Sequence, residues 1–356
     1  MDNLLSKQDL KICIVRLSAI GDVCLMIPTI KAIQKKLPKS QITWIISNPA
    51  YQLVKEITGI NFIVIDKPRS ISDYLTLYKQ FAQDRFDIVL AAQANLRVNL
   101  LYPALKAPIK IGFDKQRARD LQWLFTNRRI PFNDEHLLDS FLAFAKAIGV
   151  ESTEIDWEIP LHKSDEDRAD ELFPLTAPKT TIAINPITSK EERNWPLYRY
   201  IQLINSIHEK YDAQIILTGG PNPEEQEQIL NIIKQVHRHD KVTNTAGTLS
   251  LTQLAATLGR ASCLISPDTA AVHIASAMKT DVIGLYTVAP TKLSGPYFSK
   301  ELTIDKFNEA VSTILAKEPY TIPWKTRVHS EKAMQLIEVN EVMDKLAMII
   351  DSGDQN

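Results

Sequence analysis

Apolar positions along the chain fall into two alternating rhythms. Short runs rich in Ile, Val and Leu at residues 11–17 (KICIVRL), 41–47 (QITWIIS), 62–65 and 87–91 (DIVLA) predict strands. Between them, apolar residues recur at helical spacing over 23–36, 72–83 and 137–149, which predicts helices. The second half repeats the pattern, with strands expected at 181–185, 214–218, 241–244, 263–266 and 282–286 and helices between them. Residues 330–350 read as an amphipathic tail helix. Alternation of this kind predicts an α/β protein built on doubly wound parallel sheets.

Residues 151–179 interrupt the rhythm with charges and with Pro160, Pro174 and Pro178, followed by Pro186. This places a linker at 166–178. An N-terminal α/β domain is then expected at 1–165 and a C-terminal one at 179–325. The segment 326–356 is expected to pack its helix back on the N-terminal domain. Parallel sheets bind ligands outside the carboxyl ends of their strands, so a cleft between the two halves is expected.

Composition sharpens this picture only by exclusion. The 356 residues are 45% apolar and 23% charged with a net charge of −1, so each half can bury a core, and any anionic partner must be held by a local patch. No nucleic-acid partner is expected. Cys13, Cys24 and Cys263 are too few and too scattered for a disulfide framework or a zinc site, and read as reduced core thiols. The N-terminal apolar run is short and broken by Arg16, unlike a signal peptide. No stretch approaches the ~20 apolar residues of a membrane span. The expectation is a cytoplasmic protein that is free to rest on a membrane surface.

Four strand-to-helix loops carry polar residues that could do chemistry. The first is Arg16-Leu17-Ser18-Ala19-Ile20-Gly21-Asp22. Asp22 reads either as a helix cap, worth about 1 kcal/mol, or as a carboxylate able to take a proton from an attacking hydroxyl. The second, Ser266-Pro267-Asp268-Thr269-Ala270-Ala271-Val272-His273, opens a helix. Its free amides and dipole would suit a diphosphate, while a cap and a core histidine would explain the same residues. The third, residues 185–196, offers Thr188, Ser189, Lys190 and Arg193 to phosphate oxygens, or is a solvated loop around Trp195. The fourth, Leu217-Thr218-Gly219-Gly220-Pro221-Asn222-Pro223-Glu224-Glu225, offers close approach at the glycines and a carboxylate, Glu224, to a ribose diol. Its plainer reading is a turn followed by acids in a helix's first turn. Residues 95–130 are locally basic, with Arg97, Arg117 and Arg119 among interleaved aromatics. That is either a solvated face or a site for an anionic acceptor. No loop carries the GxGxxG fingerprint of a dinucleotide oxidoreductase.

Four segments in order, RLSAIGDVCLMIPTI, SKEERNWP, SPDTAAVHIASAM and LYTVAPTKLSGPY, together resemble the lipopolysaccharide heptosyltransferases of glycosyltransferase family 9. They correspond to a basic residue before S-x-x-G-D, a basic-x-W-P block, a D-T-G-x-x-H-x-x-A block and a Y-G-P-T…GPY tail. The resemblance runs nearly end to end. It implies a GT-B fold of two Rossmann-like domains, with the acceptor on the N-terminal half and an ADP-heptose donor on the C-terminal half.

It further implies inverting transfer with Asp22 as general base and Arg193 stabilising the departing ADP. Ser18 and Gly21 would lie on the acceptor side with Arg97, Arg117 and Arg119. Thr188, Ser189, Asp268, Thr269, the Ala270 amide and His273 would hold diphosphate and heptose, Glu224 the ribose, and Leu249 the adenine. None of the four strand-to-helix loops carries a DxD motif, so neither metal nor other cofactor is implied. Ala270 stands where the family has Gly, and Val288-Ala289-Pro290-Thr291 replaces its tighter turn.

GFDKQRARDLQW and DEHLLDSFLAFAKAIGV look most like the heptosyltransferases that act first, on the Kdo of Kdo–lipid A. An enzyme peripheral to the cytoplasmic face of the inner membrane is expected, because nucleotide sugar and new lipid A are both there; a monomer is expected. The rival readings are a family 9 transferase for a later core heptose or another nucleotide sugar, and a two-lobed nucleotide-sugar binder without turnover.

Overall fold

A computed structural model describes residues 9–133, 135–151, 154–173 and 180–353. The chain divides into two compact units, Met1–Pro160 and Leu161–Asn356.

The first unit runs β1 (Lys11–Val15), α1 (Ile20–Lys36), β2 (Gln41–Ile46), α2 (Asn48–Val54), β3 (Ile60–Val64), α3 (Ile71–Gln80), β4 (Ile88–Leu90), α4 (Leu96–Asn99), β5 (Ile109–Gly112), β6 (Arg128–Arg129) and α5 (Leu137–Lys146). Its strands lie in the order β3-β2-β1-β4-β5-β6, every neighbouring pair parallel. A parallel sheet covered on both faces needs strands that are apolar on both. Accordingly, Ile12, Cys13, Ile14 and Val15 of β1 are all fully buried. Helix α1 is apolar almost all round because it packs against α5 as well as under the sheet. Trp157 closes this unit by donating its Nε1–H to the Cys24 carbonyl at 2.9 Å.

The second unit begins with α6 (Lys163–Leu172) and continues through β7 (Thr180–Ile184), α7 (Leu197–Lys210), β8 (Ala213–Leu217), α8 (Pro223–Gln235), β9 (Val242–Asn244), α9 (Leu251–Arg260), β10 (Cys263–Pro267), α10 (Ala270–Ala277), β11 (Asp281–Tyr286), α11 (Thr291–Ser294), β12 (Ile304–Asp305), α12 (Phe307–Ile314) and α13 (Val339–Gly353). Its order, β12-β11-β10-β7-β8-β9, is the same pattern read from the other edge, again all parallel. Each sheet therefore reverses its winding at one place: between β1 and β4 in the first unit, and between β7 and β10 in the second. Crevices at such switch points are where doubly wound sheets bind ligands.

Three expectations change. The linker expected at 166–178 begins as helix α6, whose Asp165 accepts a hydrogen bond from Thr252 Oγ1 at 3.0 Å and which packs on α9; residues 174–178 lie outside the described residues. The tail helix starts at Val339, not 330, and packs on α7 and β11 of its own unit, with Val342 and Leu346 fully buried in that core. It was expected on the N-terminal domain; an apolar stripe shows that a helix docks but not on what. Strands β5, β6 and β12 were not anticipated. They are two to four residues long, too short for periodicity to register.

Candidate active site

At the first switch point, the loop after β1 meets the loop after β4. Gln93 joins them. Its Oε1 accepts the Leu17 N–H at 2.7 Å and the Ser18 N–H at 3.4 Å, and its Nε2 donates to Ser18 Oγ at 3.4 Å. Gln93 is itself held through its carbonyl by Gln122 Nε2 at 3.0 Å and by the Tyr102 hydroxyl. Arg16 crosses the same junction. Its Nη1 donates to the Ala92 carbonyl at 2.7 Å, and its guanidinium lies 5.2 Å from the Phe141 ring centroid.

Arg16 Nη2 forms an ion pair with Asp22 Oδ2. That same oxygen accepts the Ala19 N–H at 3.2 Å. Asp22 is thus the third residue of α1, not its cap: the cap position is Ala19, which has no side-chain acceptor. The capping reading and the chemical reading can therefore coexist on different atoms. Oδ2 serves the helix terminus and Arg16, while Oδ1 accepts no hydrogen bond from the described residues. With its side chain 27% exposed, Asp22 is fixed yet reachable. Ser18 is half-buried beside it and Gly21 is buried in the first turn.

The three arginines of the basic stretch part company. Arg97 on α4 and Arg119 after β5 are exposed, and their neighbourhoods are joined where Asn99 Nδ2 donates to the Arg119 carbonyl at 3.0 Å. Arg117 instead turns inward. Its guanidinium bonds Asp114, Ser140 Oγ and the Pro131 carbonyl and lies 5.4 Å from the Phe132 ring. Expected on the acceptor side with Arg97 and Arg119, it is instead 6% exposed and holds this loop to α5.

At the second switch point, the loop after β7 meets the end of β10. Arg193 Nη1 pairs with Asp268 Oδ2 at 2.9 Å, bridging the two loops. Thr188 shapes the first loop: its N–H donates to Asn194 Oδ1 at 2.8 Å and its hydroxyl to the Lys190 carbonyl at 2.6 Å. Ser189 is exposed at the tip. Thr269 caps α10 from an extended backbone, with its hydroxyl 3.0 Å from Ser266 Oγ, so the Ala270 amide opens the helix. His273, one turn on, is 6% exposed. A small concave pocket lies at this point, lined by Arg193, Asp268, Tyr286, Val288, Ala289 and Met334. Burial, and secondarily the Asp268 carboxylate, pushes the Tyr286 phenol well above its ordinary value, so it stays neutral and donates to the Ser294 carbonyl at 3.0 Å.

The fourth loop departs from expectation in its reasons. A side chain at Gly219 would meet Ile229 Cδ1 at 2.6 Å, so helix packing is what requires glycine there. Glu225 turns in and accepts the Gly220 N–H at 2.7 Å, leaving Glu224 exposed in the first turn of α8. Leu249 is half-buried just before α9. The structure thus gathers Ser18, Gly21 and Asp22 in one place, and Thr188, Arg193, Asp268, Thr269 and Ala270 in another. Gln93 and Gln122 were missed. Gln93 follows an apolar strand and Gln122 sits in a turn, and neither placement reveals partners 76 and 31 residues away. Among the described residues, no helix is long and apolar enough to cross a membrane.

The model of glycosyltransferase family 9 (heptosyltransferase) matches residues 74–317. The lipopolysaccharide core heptosyltransferase OpsX of Haemophilus influenzae is 33% identical over 337 residues, covering 94% of this chain and 95% of that protein. Among solved structures, a family 9 glycosyltransferase from Veillonella parvula superposes with a TM-score of 0.77 at 20% identity, covering 96% of this chain and 97% of that one. The Escherichia coli heptosyltransferase WaaC with ADP-2-deoxy-2-fluoro heptose does so with a TM-score of 0.69 at 20% identity, covering 95% and 99%. Two parallel sheets of the same winding, each with a polar switch point, define the fold as GT-B. Within that fold class the chain belongs to glycosyltransferase family 9, the heptosyltransferases.

Proposed function

We propose that the protein transfers a heptose from ADP-heptose to the Kdo of Kdo–lipid A in the lipopolysaccharide core, with inversion at the anomeric carbon. The observation that carries the core-heptosyltransferase reading is the 33% identity to OpsX over nearly the whole of both chains. In this reading Asp22 Oδ1 removes the proton of the acceptor hydroxyl as its oxygen attacks the anomeric carbon. The bond from that carbon to ADP breaks, and negative charge grows on the departing diphosphate. Arg16 and the Ala19 amide hold the carboxylate by its other oxygen, so the base keeps one aim without losing its free lone pairs.

The donor side needs preorganised positive potential. The amide end of α10 and the forked guanidinium of Arg193 supply it, with Thr188 and Ser189 on the neighbouring loop. Glu224 takes the ribose diol, His273 stands behind the heptose, and Leu249 lines the adenine pocket. On the acceptor side, exposed Arg97 and Arg119 meet the carboxylate and phosphate groups of the acceptor. The enzyme works at the cytoplasmic face of the inner membrane as a peripheral protein.

The test is transfer from ADP-heptose to Kdo–lipid A, with and without EDTA, read by mass spectrometry of the lipid. A gain of one heptose unaffected by EDTA is expected. A gain only on an already heptosylated core moves the acceptor and keeps the donor half. ADP binding without transfer to any core acceptor overturns the reading in favour of a nucleotide-sugar binder.

A further inference from the structure

Fourteen large apolar side chains stand exposed among the described residues, and eight of them lie on three adjoining pieces of the N-terminal unit. Helix α3 turns Leu77 inward, as an ordinary amphipathic helix does. It also carries a second apolar stripe, Ile71, Leu75 and Tyr78, at i, i+4 and i+7, with Ile71 80% exposed. Helix α4 adds Leu96 and its neighbour Leu100 one turn apart. The turn after β5 adds Leu121, Trp123 and Leu124, each between 47% and 57% exposed.

Hydrogen bonds make these pieces one face. Tyr74 and Tyr78 donate their hydroxyls to the carbonyls of Arg97 and Leu100, each at 2.9 Å. The Leu96 N–H donates to Asp120 Oδ2 at 2.9 Å, and Asn99 Nδ2 to the Asp120 carbonyl at 2.8 Å. Gln122 lies between Leu121 and Trp123 in sequence but points the other way. Fully buried, it donates to the carbonyls of Ala91 and Gln93 at 2.8 and 3.0 Å. The turn that shows Leu121 and Trp123 to solvent is thus the one that holds the Asp22 loop in place.

Exposed cations are interspersed on these pieces: Arg69, Lys79, Arg97, Lys115 and Arg119, against Asp73 and Asp120. A surface that combines exposed leucines and an isoleucine with tryptophan, tyrosine and interspersed cations matches the boundary between anionic headgroups and acyl chains. An apolar patch of this extent is unusual on a protein that meets only water.

We propose that this face docks the protein on an anionic lipid bilayer, with Leu121, Trp123 and Leu124 entering the headgroup layer. This rests on the reading that the acceptor is carried by a membrane lipid. It adds which surface touches the membrane, and that this surface adjoins the half-site of the proposed base.

The test is co-sedimentation of the full chain with vesicles of phosphatidylglycerol and phosphatidylethanolamine, and with vesicles of phosphatidylcholine. Binding is expected to the first and to be at least about fivefold weaker to the second, since each cation near an anionic surface contributes about that factor. The double variant Leu121→Asn/Leu124→Ser should bind at least about tenfold more weakly. Asn tolerates the left-handed backbone of Leu121 (φ 61°), so the turn is retained.

The variant should transfer heptose to a deacylated, water-soluble acceptor at the wild-type rate and be slow only on vesicle-borne acceptor. Vesicle binding that is undiminished in the variant, or absent in the wild type, overturns the proposal. So does a dimer dissolved by the same substitutions without any lipid binding, because the face would then belong to a second copy. Lipid binding lost in the variant, with no transfer to any acceptor by the wild type, would sustain the docking face and sink the proposed reaction instead.

Discussion

Asp22 is placed so that the proposed chemistry and the helix terminus draw on different atoms of one side chain. A helix-terminal carboxylate gains from the dipole and from a free amide, and Asp22 does so through Oδ2. The ion pair with Arg16 uses that same atom, leaving Oδ1 for a substrate proton. Replacing Asp22 with Asn keeps the shape and an oxygen that can face Arg16 but removes the base. Turnover should fall about 10²–10⁴-fold, while titration with ADP gives unchanged affinity, because the proposed ADP contacts are all in the other unit. A variant within a few-fold of the wild-type rate would leave Asp22 as a helix-terminal residue only.

Arg193 is expected to behave differently. Arg193→Ala should lower kcat about 10²–10³-fold, as losing a donor to developing charge does. Arg193→Lys should recover only part of this, since an ammonium cannot make the forked contact. Single-turnover rates with ADP-heptose decide it; full recovery by Lys would reduce the role to one of charge.

The contrast between Arg117 and its neighbours shows what the sequence could not convey at this scale. Arg97, Arg117 and Arg119 look alike in a basic run, and only Arg117 is buried. The partners that bury it, Ser140 and the Pro131 carbonyl, come from later segments. Asp22, Arg193 and Asp268 could be singled out because each lies in the polar loop or first helical turn that follows an apolar strand, at the sheet's ligand end.

Among the elements, the loop between β8 and α8 separates two glycines that the sequence presents as a pair. A Cβ at Gly219 would stand 2.6 Å from Ile229 Cδ1, a fully buried side chain in the core. One at Gly220 would meet only the movable carboxylate of Glu225, at 2.9 Å. Gly219→Ala should therefore cost about 1–3 kcal/mol, the usual penalty of overpacking, and Gly220→Ala distinctly less. Thermal denaturation of the two variants side by side measures this, and equal losses would show that the turn, not the packing, demands glycine.

Helix α7 carries a second consequence. His208 is 9% exposed in its last turn, and neither ring nitrogen finds a hydrogen-bond partner among the described residues. Burial, then the charges of Arg238 and Lys241, hold its imidazole below the ordinary value, with Asp240 acting the other way. The unfolded chain then binds the proton more tightly. Stability from this residue is complete above about pH 6.5, the unfolded value, and is lost as pH falls below it. His208→Phe should flatten stability between pH 7 and pH 5 in urea titrations; an unchanged slope would mean that other groups set the acid limb.

The elements that escaped the sequence pattern share a physical reason. Strands β5, β6 and β12 contribute few residues and depend on neighbours already in place. The late start of α13 is imposed from outside the segment, where Trp195 donates its Nε1–H to the Ile337 carbonyl at 3.0 Å and Val328 pairs with Val288. Local propensity over 330–338 was overruled by those contacts.

Across the molecule, the same winding occurs twice and the chemistry is divided between the copies. The first unit holds the proposed base at its switch point, and the second holds the arginine and helix terminus proposed for the donor. Each has its own apolar core, and α13 belongs to the second one through Val342 and Leu346. If the units unfold separately, ADP should raise only the transition of Leu161–Asn356, by about 2.7 kcal/mol at a hundredfold excess over its dissociation constant.

Leu346→Ala removes a fully buried side chain from that core. It should lower the same transition by about 2–5 kcal/mol and leave the first unit untouched. Differential scanning calorimetry with tryptophan emission resolves the two, because Trp44 and Trp157 are buried in the first unit and Trp195 in the second. Were ADP and Leu346→Ala to shift both transitions together, the donor site and the tail helix would be coupled to the first unit. The division of labour between base and donor would then have to be drawn across both units and not within each.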